Sequence, residues 1–221
     1  MSRGSSTGGP AGRDRGGGTE DRYRTIAGPT RREIPKRQGS RFIGLARPVS
    51  AKDEVPGLLE EWADEFADAR HRCWAYRLGE RGEEFRFSDA GEPSGTAGRP
   101  ILDQIAAREL IGVLVAVVRY YGGTKLGTGP LARAYGAAAS AVLEKAEILE
   151  RRRRSEFLIR FGYDDTSAVD RLLHRFDAAI SDRRYGAETE LWIGIPRSEV
   201  DRFREAFATA LSGRGTLEGL D

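Results

Sequence analysis

The chain has 221 residues and a mass of 24.3 kDa, with 39% hydrophobic and 32% charged residues and a formal net charge of +2. That length holds one large domain or two small ones, and no apolar run approaches the roughly 18 residues a membrane span needs, so no membrane role is expected. A single cysteine, Cys73, excludes an internal disulfide, two histidines leave little for a zinc site, and the start MSRGSSTGGPAGRDRGGG lacks the apolar core of a secretory signal, so a cytoplasmic protein without metal or cofactor is expected.

Residues 1–22 are Gly, Ser and Arg with almost nothing to bury, which predicts a disordered tail. Arg24–Ile34 and Arg41–Val49 read as two strands joined by a basic turn around Lys36, Arg37 and Gly39. Val55, Leu58, Leu59, Trp62 and Phe66 fall on one helical stripe, opened by Ser50 or Asp53 and with Pro56 in the first turn. His71–Leu78 and Glu84–Phe87 form a hairpin across Gly79–Gly82. Pro100 starts a short helix through Leu110, and Ile111–Val118 is apolar on both faces, as a central strand should be. Pro130 opens a helix to about Lys145. From Phe157 onward the order is strand, helix, hairpin, helix, strand: Phe157–Tyr163, a helix carrying Val169, Leu172, Leu173 and Phe176, Ala178–Tyr185 with Glu188–Ile195, a helix capped by Ser198, and a short strand after Gly215. That βαββαβ order is the ferredoxin-like plan. The four arginines Arg151–Arg154 mark the boundary between an N-terminal domain, 23–150, and a C-terminal domain, 155–221, both α+β.

Two segments concentrate chemistry. RYYGGTKLGTGPLARAYG, Arg119–Gly136, follows the buried strand and runs into a helix. Free N–H groups at a helix start attract anions. With the cations Arg119, Lys125 and Arg133, the segment predicts an anion- or nucleic-acid-binding loop of Arg119, Tyr120, Gly122, Gly123, Lys125, Gly127, Thr128, Gly129 and Arg133. Neither nucleotide motif fits: Gly123-Thr124-Lys125 has the wrong order for a Walker A loop, and no acid ends a second parallel strand after Gly127-Thr128-Gly129. A glycine-rich packing turn explains the same residues. In SDAGEPSGTAGRP, Ser88–Pro100, the residues Asp89, Glu92, Ser94 and Thr96 fit either acid–base chemistry or the hydrogen bonds of a tight turn. His71 shares a strand face with Cys73, away from Arg72, Trp74 and Tyr76, and is expected to be half-buried and hydrogen-bonded. A pocket of His71, Asp89, Glu92, Ser94 and Thr96 facing the glycine loop is expected.

HRCWAYRLG (His71–Gly79), DAGEPSGTAGRPIL (Asp89–Leu102) and RYYGGTKLGTGPLARAY (Arg119–Tyr135) together resemble the YigZ/IMPACT family, over about Tyr23 to Asp221. Ala90 stands where that family usually has a second aspartate, Tyr121 where it has phenylalanine, and Pro130 where it has glycine. The resemblance implies an N-terminal domain like the second domain of a small-subunit ribosomal protein and a ferredoxin-like C-terminal domain. Eukaryotic relatives regulate translation initiation with the help of an extra protein-binding domain that this chain does not match.

Two functions follow. The first is an IMPACT-family binding protein that regulates translation through RNA or ribosome contacts, with a protein partner as a variant. The alternative is an enzyme acting on a phosphorylated small molecule or nucleotide, with the glycine loop as phosphate cradle and His71, Asp89 or Glu92 as catalytic groups.

Overall fold

The computed structural model describes residues 21–220. The expected tail, 1–22, lies outside the described residues except for Asp21 and Arg22. The described chain divides into two compact units: Tyr23–Arg151, and residues 152–220 together with Asp21 and Arg22. Both mix helices and sheets, so the fold class is α+β.

In the first unit five strands form one sheet in the order β2-β3-β6-β4-β5. These are β2 (Thr30–Arg37), β3 (Ser40–Pro48), β4 (His71–Leu78), β5 (Glu84–Ser88) and β6 (Val113–Tyr120). The sequence VLVAVVRY is buried along nearly its whole length because both faces of β6 are covered. One face packs α2 (Gly98–Ala107) and α3 (Thr128–Lys145), through Ile101, Ile105, Leu131, Tyr135, Ala138 and Val142. The other face packs α1 (Glu54–Glu65), through Val55 and Trp62, with Phe66 just past its end. Each large apolar side chain so buried stabilises the fold by about 1.5–3 kcal/mol. The alanines of α3 let the helix lie close. A Cβ on Gly44 of β3 would stand 2.6 Å from the Ala138 carbonyl oxygen, so only glycine fits there. No helix among the described residues is long and apolar enough to cross a membrane.

The second unit runs β8 (Arg154–Phe161), α4 (Thr166–Arg175), β9 (Ala179–Tyr185), β10 (Thr189–Pro196), α5 (Val200–Leu211) and β11 (Thr216–Gly219). Its sheet order is β11-β8-β10-β9, the arrangement of the βαββαβ plan. Phe157, Ile159, Phe161, Ile193, Phe203 and Phe207 fill the space between sheet and helices.

Several local expectations change. The first expected strand is two, β1 (Arg22–Ile26) and β2, broken where Pro29 cannot donate to a ladder. β1 pairs with β7 (Ile148–Arg152), a strand the sequence reading missed. Neither Ser50 nor Asp53 caps α1 with its side chain; the Glu54 carboxylate accepts the Ser50 and Ala51 amides instead. Ser198 does not cap α5, because its hydroxyl donates to Asp21. Arg152 and Arg154 both pair with Asp177, which also offers its carbonyl to Arg154.

Candidate functional site

Strand register gathers the motifs at one end of the five-stranded sheet. Arg119, near the end of β6, stands opposite both Phe42 of β3 and His71 of β4. Residues paired across strands share a face, so all three point to the side covered by α2 and α3. Glu92, from the turn after β5, and Tyr135, from α3, meet them there. Arg119 Nη1 donates to Glu92 Oε1 at 2.7 Å, and the Tyr135 hydroxyl donates to the same oxygen at 2.8 Å. The Arg119 and Glu92 side chains are 6% and 4% exposed. Arg119 Nη2 donates to Ser40 Oγ, which also accepts the Gly122 amide. The guanidinium lies over the rings of Phe42 and Tyr121 at 5.6 and 5.5 Å, which favours a cation over two electron-rich faces.

His71 and Cys73 close the cluster. His71 Nδ1 is 3.0 Å from the Ala90 carbonyl oxygen. A carbonyl can only accept, so this nitrogen carries the proton and Nε2 faces Glu92, 4.0 Å away. Cys73 donates its thiol to the Asp89 carbonyl, and burial pushes the thiol up to about 12. It is therefore a neutral packing group and not a nucleophile, since only a thiolate attacks. Burial, with Cys73 and Glu92 nearby, also raises the Tyr135 phenol, which keeps it a donor.

Asp89 organises the turn. Burial pushes its carboxyl up, but the amides of Gly95, Gly98 and Ala97 outweigh that and hold it below the usual carboxylate range. In effect it caps α2, because Ala97, in the N-cap position before Gly98, has no side-chain cap to offer. Thr96 is buried and donates to the Pro93 carbonyl at 2.6 Å, while Ser94 is exposed. Ala90 and Gly91 both take positive φ, +41° and +84°. Turn chemistry thus accounts for Asp89 and Thr96 without a reaction.

The glycine loop differs from this interior. Gly123 and Gly127 sit at φ +88° and +79°, where a side chain is strained although space is open. Gly122 is bare for another reason: a Cβ there would stand 2.0 Å from the Gly39 carbonyl carbon and 2.2 Å from the Ser40 nitrogen. The loop therefore rests directly on the β2–β3 turn, next to the end of β2 that carries Lys36 and Arg37. Gly127 precedes α3 and offers no side-chain cap. Thr128, Gly129 and Lys125 are exposed. Exposed Arg133 reaches back over this first turn, its Nη1 3.5 Å from where a Gly129 Cβ would be.

Residues 38–143 match the Impact N-terminal domain, and residues 159–214 match a domain of unknown function, DUF1949. An IMPACT family member of Haemophilus influenzae is 32% identical over 82% of this chain and 89% of its own length. IMPACT family member YigZ of Escherichia coli is 32% identical over 81% of this chain and 88% of its own. The chain belongs to the IMPACT family. A crystal structure of a hypothetical protein, 29% identical, superposes with a TM-score of 0.66 over 91% of this chain and 98% of that one.

In this IMPACT-family chain the residues singled out from sequence fall into three groups. His71, Glu92 and Arg119 come together in the buried cluster, with Asp89 and Thr96 in the turn beside it. Gly122, Gly123, Lys125, Gly127, Thr128, Gly129 and Arg133 form the exposed loop and helix start. Tyr120 belongs to neither. Alternation along β6 sends it to the α1 side, where its hydroxyl donates to Asp68 and Arg41 lies over its ring. Arg119, expected as a charge for the loop, is spent on Glu92 beneath it. Sequence reading missed Ser40, Phe42 and Tyr135 as cluster members. Tyr135 left one signal, a lone aromatic on the alanine-rich face of α3.

Proposed function

We propose that this protein regulates translation as an RNA-binding module whose contact surface is the glycine loop, the α3 N-terminus and the adjoining β2–β3 turn. The observation that carries this reading is the contrast in charge pairing at one end of the sheet. Arg119 is neutralised within the interior, whereas Arg37, Lys125 and Arg133 are exposed and make no ion pair among the described residues. They surround an uncapped helix start, where backbone N–H groups and the helix dipole favour phosphate. Phosphate contacts of this kind give affinity without reading sequence, which suits a module that docks on structured RNA of the ribosome. Membership of the IMPACT family supports the link to translation.

The enzyme reading would set a phosphate on the same loop and use His71 or Glu92 as acid or base. Glu92 is already engaged by Arg119 and Tyr135, and Asp89 by three amides, so binding is preferred.

Co-sedimentation with ribosomal subunits, compared with pulldown by total RNA across a salt series, tests the proposal. Binding that falls linearly in log–log against salt supports it. No salt-dependent binding to either overturns it.

A further inference from the structure

Strand edges are hazards, and of the four on this chain's two larger sheets one, β5, is the least protected. β2 carries Arg31, Arg32, Glu33, Lys36 and Arg37, with Pro35 and a bulge between Ile34 and Arg37. β9 carries Asp182, Arg183 and Arg184 and is irregular opposite Trp192 and Ile193. β11 is four residues long. Charge, proline, bulges and shortness are the usual means of blocking edge-to-edge pairing. β5 is also short, at five residues, but it has no proline and no bulge, and its two charges, Glu84 and Arg86, are of opposite sign. Its sequence EFRFS pairs with β4 without a break in register, and Phe85 and Phe87 are 52% and 40% exposed. Among the described residues, Glu84–Ser88 make no backbone hydrogen bond outside the strand ladders.

We propose that β5 is a dimerisation edge, at which a second copy of this chain pairs antiparallel about a two-fold axis passing through Phe85. The charges choose both the occupant and the register. Centred on Phe85, the pairing sets Glu84 opposite Arg86 of the partner, Arg86 opposite Glu84 of the partner, and Phe85 opposite its own copy. Centred one residue later, it would set Arg86 against Arg86, a like-charge pair that destabilises a ladder. The faces agree as well. Phe85 pairs with Arg77 and Phe87 with Ala75 of β4, so both rings lie on the α2 side, where Phe87 packs against Gly98. Glu84 and Arg86 lie on the α1 side, beside Leu78 and Tyr76. A two-fold axis perpendicular to the sheet keeps α2 on the same face in both copies and joins two five-stranded sheets into one of ten strands. This surface is independent of the glycine loop and would stand if RNA binding failed.

Sedimentation equilibrium of the full chain at low salt tests this. A short edge covers less than the roughly 800 Å² per partner of a standard interface, so self-association on the order of tens of micromolar is expected. The apparent mass should climb from 24.3 kDa toward twice that value with concentration. Phe85→Lys should hold the protein monomeric with an unchanged melting temperature, because the ring is half exposed. Glu84→Arg and Arg86→Glu, each alone, should also give monomers, and the two together should restore the dimer. The proposal is overturned by a wild-type chain that stays monomeric into the hundreds of micromolar, by a dimer that survives Phe85→Lys, or by a double swap that fails to recover association.

Discussion

The buried cluster around Glu92 and the bare loop around Lys125 come from the same two motifs and lie at the same end of one sheet, yet they treat charge in opposite ways. In the cluster every strong charge has a counterpart: Arg119 has Glu92, and Glu92 also has Tyr135. In the loop Lys125 and Arg133 have none among the described residues, and glycines keep the backbone open. The difference separates a framework that fixes the loop's base from an exposed surface whose cations stay in solvent. Ser40 links the two, holding Arg119 from below and the Gly122 amide from above.

The sharpest way to break this comparison is to remove the framework's anion. Glu92→Ala leaves Arg119 charged, buried and unpaired, a change that costs about 3–5 kcal/mol. Urea denaturation of the full chain, followed by tryptophan fluorescence and far-UV circular dichroism, should show that loss. Replacing both partners together, Glu92→Leu with Arg119→Met, should recover most of it, because an apolar pair of similar volume needs no charge compensation. A near-neutral Glu92→Ala would mean the cluster is not the framework.

This division was only partly legible in the sequence. Local pattern was enough for the apolar stripe of α1, the doubly covered β6 and the second unit's βαββαβ order, because each is written within one or two turns of chain. Long-range pairing was not. β7, with the sequence ILERR, has no alternation to announce it and exists because β1, more than a hundred residues earlier, pairs with it. Ser198 looked like a helix cap until Asp21, 177 residues away, took its hydroxyl. Arg119 read as a loop charge because nothing local points to Glu92. Asp89 and Thr96 were legible as turn residues because their partners lie within nine positions. The glycines were legible as a group but not one by one, since close approach and positive φ leave the same letter.

That ambiguity gives the next test. Gly122→Ala puts a Cβ into the Gly39–Ser40 backbone, and no side chain is there to move aside. The β2–β3 turn must shift, and Ser40 with it, at a cost of about 3 kcal/mol. Gly123→Ala meets only open space and loses the ease of its φ of +88°, about 1 kcal/mol. Thermal unfolding should therefore rank Gly122→Ala well below Gly123→Ala. Equal losses would mean the loop does not rest on the framework as described.

The smallest effect on stability should belong to the residue with the largest expected effect on binding. Lys125 is exposed and has no ion pair among the described residues, so Lys125→Ala should leave the melting temperature almost unmoved. If the loop holds phosphate, the same change removes one cation from the contact. Each phosphate neutralised releases close to one counterion, so the slope of log affinity against log salt should fall by about one unit. Arg133→Ala, at the helix start, should do the same, and the two together should lower the slope by about two. The loss should be uniform across RNA sequences, because a phosphate contact positions the protein without reading a base. An unchanged salt slope in the double variant, with the fold intact, would assign the loop to packing alone and leave the buried cluster as the only purpose of both motifs.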